Sequence, residues 1–297
     1  MPPPAAALEF LERIETRLLA LPARPRIVFP EGEDPRVRAA AERLAARGLV
    51  EPVLVPRAPA QDAADRYAAL LYERRRRRGM SEREARELAR RPLYFAALMT
   101  AAGDADGFVG GAANSTADTV RAALLAIGPA PGIAAVSSFF VLASPVRAVG
   151  CNGLFIAADC AVLIDPTAAQ LADVARVAAA STRLAFECEP AVGLLPGKDA
   201  ARIAEAAATL RAAQPGLDVR TGDAAFDPQV NTLVFPDLHA ANIGYKLVEW
   251  LGGGSAFGPM LQGLNKPAND LSRAAGAEEI YTVALITALQ AQAQVPA

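Results

Sequence analysis

The chain has 297 residues and a net charge of −2, long enough for one large or two moderate domains and too evenly charged to be drawn to nucleic acid or a membrane surface. Hydrophobic residues make up 53%, which excludes a disordered chain. No apolar run reaches the ~18 residues of a membrane span, and MPPPAAALEF lacks the basic start and apolar stretch of a signal peptide, so the expectation is a cytoplasmic protein.

In chain order, residues 5–20 read as a helix, with Leu8, Leu11, Ile14 and Leu18 at helical spacing. RIVFP (26–30) reads as a buried strand. Asp34 and Pro35 then form a cap and first turn for a helix ending at Gly48. A strand is expected at 52–55, charged helices at 62–78 and 81–90, and GFVGG (107–111) ends a further strand. Thr116 is placed to cap the helix that carries Arg121. Strands follow at 133–140, 161–164, 191–195 and 232–235, and helices at 168–180, 199–213, 242–251 and 278–290. This alternation points to an α/β fold with mainly parallel strands, in which ligands sit beyond the carboxyl ends of the strands. Cys151, Cys160 and Cys188 are widely spaced and odd in number, neither a metal-ligand pattern nor a disulfide framework; they are expected as buried, reduced thiols.

Four segments carry chemistry. FPEGEDPR (29–36) puts three carboxylates and an arginine at a strand–helix junction, readable as a functional cluster or as a turn with an N-cap at Asp34. The arginine run 74–78 surrounds a helix, so it reads as a solvated face from which one arginine can reach an anion. ADGFVGGAANSTADTVR (105–121) combines glycines, Ser115 and Thr116 with a helix start. That combination serves an anion or simply a tight turn, and it matches no nucleotide fingerprint. GPMLQGLNKPANDLSR (258–273) reads as a loop before the last helix that gathers Lys266, Asn269, Asp270, Ser272 and Arg273. There Arg273 can grip phosphate in a bidentate way and Ser272 can donate to an oxyanion. His239, the single histidine, cannot build a multi-histidine metal site.

In this order, RIVFPEGEDPRV, YERRRRRGMSEREAR, DADGFVGGAANSTADTVRAAL, LVFPDLHAANIGYK, GPMLQGLNKPANDLSR and a helix containing ITALQA resemble the phosphate acetyl/butyryltransferase family across nearly the whole chain. The resemblance implies a two-domain α/β subunit with an isocitrate/isopropylmalate dehydrogenase-like fold and an active cleft between domains. The first domain would be residues 1–131 plus 260–297, the second a shortened 132–259, and the usual assembly a homodimer. It implies phosphate acetyltransferase activity, moving an acetyl group between acetyl phosphate and coenzyme A. Coenzyme A is then a substrate, with no separate cofactor and no metal. A butyryl- or other acyl-specific enzyme and a non-catalytic acetyl-CoA-binding regulatory paralogue are the alternatives.

Carried over residue by residue, the family's serine–arginine pair falls on Ser272 and Arg273, and its T-A-D-x-x-R arginine falls on Arg121. Its R-K-x-K-G arginine falls on Arg75, and its aspartate base corresponds to Glu279, one methylene longer. Ser115, Thr116 and Asn269 complete the expected phosphate and CoA contacts. Glu279 also has a plain reading: with Gly276 as N-cap it is the third residue of a helix, where an acid stabilises the first turn. The family's Thr-Lys-Gly-Ser motif is absent after Leu194, where the chain reads LLPGKDAAR.

Overall fold

The computed structural model describes residues 2–293. The chain runs α1 (Ala5–Leu19), β1 (Arg26–Phe29), α2 (Pro35–Ala46), β2 (Glu51–Leu54), α3 (Gln61–Arg75), α4 (Glu82–Ala89), α5 (Pro92–Ala102), β3 (Gly107–Gly110) and α6 (Thr116–Ala126). It continues through β4 (Ser137–Ala143), β5 (Leu154–Ala158), α7 (Ala168–Phe186), β6 (Ala191–Leu194), α8 (Ala200–Ala213), β7 (Asp218–Thr221) and β8 (Thr232–Val234). It closes with α9 (Leu238–Trp250), β9 (Ser255–Gln262), β10 (Ala268–Asp270) and α10 (Ala277–Gln292). Two compact units result: Met1–Arg13 with Pro131–Gly263, and Ile14–Ala130 with Leu264–Ala297.

The second unit is built on a four-stranded sheet in the order β10-β3-β1-β2, parallel throughout. Its strands are short and buried on both faces at β3 and β10, as parallel strands covered by crossover helices must be. Helix α10 is apolar all round, with Ile280 through Leu289 buried; such a helix belongs inside a core, and it packs on β3, β1 and α2. Asp34 caps α2 by accepting from the Arg36 amide at 2.9 Å, and Pro35 takes the first helical position, where its missing N–H is harmless. Ser81 caps α4 in the same way. Helix α5, which the reading by periodicity passed over, is a continuous apolar segment with Pro92 at its start and Gly103 in the left-handed conformation at its end.

The first unit carries a six-stranded mixed sheet in the order β7-β6-β8-β5-β4-β9, antiparallel where β4 meets β5 and β9. Three expectations change here. The segment 161–164 is a turn rather than a strand, because the Asp159 carboxylate takes the amides of Ala161 (3.2 Å) and Leu163 (2.7 Å) that a ladder would need. The strand lies earlier, at β5. The stretch 258–273 holds the end of β9 and all of β10, so it is only partly loop; Asn269 and Asp270 are polar residues inside a buried strand, which a search for apolar runs misses. Finally, Cys151 and Cys188 form a disulfide, with Cα atoms 6.7 Å apart, instead of standing as separate thiols. The fold brings together two positions 37 residues apart that no spacing rule connects. Cys160 is free and buried, and its thiol is held far above the usual range by burial.

Among the described residues no helix is long and apolar enough to cross a membrane.

Candidate active site

In the second unit, β1 lies between β2 and β3, so the chain leaves β1 to one side and later returns to the other. That reversal is where parallel sheets open a crevice at their carboxyl edge. Three loops meet that edge: residues 30–34 after β1, 111–115 after β3 and 271–276 after β10. The last two are held together by the sheet, since Gly110 pairs with Asp270 and the Leu271 amide donates to the Gly110 carbonyl at 2.7 Å.

The glycine-rich turn after β3 does bind an anion with its amides, and that anion is a side chain of the protein. Glu31 Oε1 accepts from the Gly111 amide at 2.9 Å, the Asn114 side-chain amide at 2.6 Å and the Ala113 amide at 3.5 Å. Gly111 has a φ of 111°, open only to glycine. Beyond the turn Ser115, rather than Thr116, is the N-cap of α6: its Oγ accepts from the Asp118 amide at 3.2 Å and donates to Asp118 Oδ2 at 2.7 Å. Thr116 follows as the first, exposed helical residue, with its hydroxyl against the Asp270 carboxyl. Arg121 projects from the same helix into solvent, 3.9 Å from Asp118, an exposed pair too weak to hold the guanidinium in place.

After β10 the chain turns tightly. The Ala274 amide donates to Ser272 Oγ at 3.2 Å and the Ala275 amide to the Ser272 carbonyl at 2.9 Å. Ser272 and Arg273 are both exposed, and among the described residues the Arg273 guanidinium has no hydrogen-bond or ion-pair partner. The turn is fixed from behind by Arg36. Its Nη1 donates to the carbonyls of Arg273 (2.8 Å) and Ala275 (2.9 Å), and its Nη2 to the carbonyl of Ala112 (2.9 Å). Asp34 holds the fork from the other side, with Nε–Oδ1 at 3.1 Å and Nη2–Oδ2 at 2.8 Å. That contact pulls the Asp34 pKa down and the Arg36 pKa up. FPEGEDPR therefore acts through structure: Glu31 and Arg36 clamp the loops that present Ser272 and Arg273. The motif itself was the signal, but only contacts more than 75 positions away in sequence give its acids and arginine their work.

Two expected residues are placed elsewhere. Asn269 faces the core, where its side-chain amide donates to Thr287 Oγ1 and Gln290 Oε1, each at 2.7 Å. The pleat turns neighbouring strand residues to opposite faces, so Asn269 goes to α10 and Asp270 to α6. Arg75 sits at the far end of α6 from Ser115, about 16 Å away along an eleven-residue helix. There its guanidinium donates to the carbonyls of Leu125 (3.0 Å) and Leu124, and Arg74 donates to that of Ala126. This caps the negative end of the helix, and burial together with Arg74 and Arg78 lowers the Arg75 pKa. Glu279 is the third residue of α10 behind the N-cap Gly276 and is exposed; its neighbour Glu278 is paired with Arg43.

Sequence reasoning named Asp270 in the segment 258–273 but gave it no role. Asp270 is 2% exposed, and burial raises its pKa to about 6. It stood inside the quoted motif, yet a lone aspartate in a polar loop gives no sign of being buried.

The matching family is Phosphate acetyl/butaryl transferase, over residues 9–288. The chain belongs to this family. A phosphate acetyltransferase of Paracoccus denitrificans is 43% identical, with the match covering 94% of this chain and 98% of the relative. One from Acetivibrio thermocellus is 37% identical over 96% and 99%. Among solved structures, a phosphotransacetylase from Streptococcus pyogenes superposes with a TM-score of 0.86 at 34% identity, covering 96% of this chain and 99% of that one. The α/β fold seen here is thus that of the phosphate acetyl/butaryl transferase family, and the matched residues include all three loops of the carboxyl edge.

Proposed function

We propose that this protein is a phosphate acetyltransferase that catalyses acetyl phosphate + CoA = acetyl-CoA + phosphate, acting in the cytoplasm as a homodimer. The near full-length similarity to phosphate acetyltransferases supports the reaction. The observation that carries the site is the exposed Arg273, without a partner among the described residues, beside Ser272 on a turn whose carbonyls are held by Arg36. A guanidinium without a partner among the described residues, on a turn braced by hydrogen bonds, is organised for phosphate before substrate arrives, so little reorganisation is needed in the reaction.

In this reading the CoA thiol loses its proton to the Glu279 carboxylate, because a thiol of ordinary pKa (~8.5) is mostly protonated near neutrality. The thiolate forms the C–S bond with the acetyl carbon, and the carbonyl electrons move to oxygen, where Ser272 donates. When the carbonyl reforms, the C–O bond to phosphate breaks and Arg273 with Arg121 takes the leaving charge. Ser115 and Thr116 stand at the positive end of α6, whose dipole favours the phosphate charge. Asn269 supports β10 from the core, and Arg75 supports the opposite end of α6.

The test is direct: mix purified protein with CoA and acetyl phosphate and follow thioester absorbance. Turnover dependent on both substrates is expected. CoA binding without turnover would refute the catalytic reading.

A further inference from the structure

Among the described residues, two carboxyl oxygens in the second unit are sealed from solvent with no donor, Glu31 Oε2 and Asp270 Oδ1. They belong to residues that flank one glycine. The Gly111 amide donates to Glu31 Oε1 at 2.9 Å, and a Cβ at Gly111 would stand 2.5 Å from Asp270 Oδ1. Asp270 is the last residue of β10, two positions before Ser272. On its other side lie the hydroxyls of Thr116 and Thr119, in the first turn of α6. The Thr119 proton is directed at the Ser115 carbonyl at 3.2 Å, so it reaches the carboxyl as a dipole rather than as a committed bond. A buried, unsatisfied acceptor is costly, and more so when charged. With two such oxygens around one residue, a proton on one carboxyl is the least costly arrangement.

We propose that Asp270 is a positioning residue that couples protonation to phosphate uptake: its carboxyl ties the Ser272–Arg273 turn to the first turn of α6, and its charge opposes that of a phosphate bound at the same two segments. This rests on the acetyltransferase reading. Carboxylate and phosphate compete for one positive helix end; protonation ends the competition and leaves the packing unchanged.

Burial is the main cause that raises the Asp270 pKa, to about 6, and the charge of Glu31 adds to it, while Thr116, Thr119 and the Leu271 amide oppose. The other charged groups on the surrounding elements are Glu33 on the loop after β1, Asp118 and Arg121 of α6, Arg36 (paired with Asp34), Arg38, Glu42 and Arg43 (paired with Glu278) of α2, Glu279 at the start of α10, and Arg273 on the turn; β3 carries none. The carboxyl is neutral below that pKa and charged above it, so phosphate affinity falls as pH rises through it. By reciprocity, bound phosphate pushes the Asp270 pKa further up.

The experiment is calorimetric titration of the whole protein with inorganic phosphate, and with sulfate, whose own charge is constant between about pH 5 and 8. For the wild type, sulfate affinity should fall about tenfold across that range, with its midpoint near the Asp270 pKa. Asp270→Asn should bind tightly and without pH dependence. Two variants keep Asp270 itself and so test the idea even where Asp270→Asn fails to fold. Glu31→Gln removes a charge that raises the pKa and should move the midpoint down; Thr119→Val removes a dipole that lowers it and should move the midpoint up. Anion binding with a flat wild-type profile, or a midpoint that neither variant moves, overturns the coupling. Failure of both anions to bind at any pH overturns the phosphate site and the coupling with it.

Discussion

Gly111→Ala isolates what the carboxyl edge demands of the backbone. Three atoms crowd the new methyl group: Asp270 Oδ1 at 2.5 Å, the Leu271 carbonyl oxygen at 2.6 Å and the Leu271 nitrogen at 2.8 Å. The last two are backbone and cannot retreat, because the Leu271 amide is bonded to the Gly110 carbonyl at 2.7 Å. Holding a non-glycine residue at a φ of 111° costs about 1–3 kcal/mol, and forcing a methyl into a filled site adds about 1–3 kcal/mol. The expected loss is about 2–6 kcal/mol, a large part of a typical domain's stability of about 5–15 kcal/mol. Urea denaturation followed by circular dichroism measures it as a lower midpoint at unchanged slope. Any β3–β10 separation that relieves the clash also displaces Ser272 and Arg273, so the KM for acetyl phosphate should rise at least about tenfold, about 1.4 kcal/mol. A loss below about 1 kcal/mol with normal KM would refute the claim that this close approach sets the geometry of the edge.

Arg273→Gln should lower kcat about 10²–10³-fold and leave the melting temperature unchanged, since the guanidinium has no partner among the described residues; an active variant removes Arg273 from the site. Glu279→Gln should lower kcat about 10²–10⁴-fold if the carboxylate takes the thiol proton, whereas a lower melting temperature with normal turnover assigns it to the first turn of α10 alone. Reduction of Cys151–Cys188, which closes a loop of 37 positions, should destabilise the protein by up to about 4 kcal/mol in the chain-entropy limit. Alkylation and mass analysis of denatured protein check the pairing: one reactive thiol before reduction, three after.

The sequence by itself determined several helix starts and the family. Asp34–Pro35, Ser81 and Gly276 stand at the helix ends where capping chemistry puts them, because a cap is a contract among residues within a turn of each other. An ordered set of motifs likewise identified a phosphate acetyl/butaryl transferase chain. Tertiary structure decided what those motifs do. Glu31 fills the glycine-rich turn, Arg36 clamps the Ser272–Arg273 turn from more than 230 positions away, and Asn269 and Asp270 part to opposite faces of a strand three residues long. None of this has a local signature. Burial, which turns Asp270 from an ordinary acid into one with a pKa of about 6, depends on every element that covers it, and only the folded chain brings those elements together.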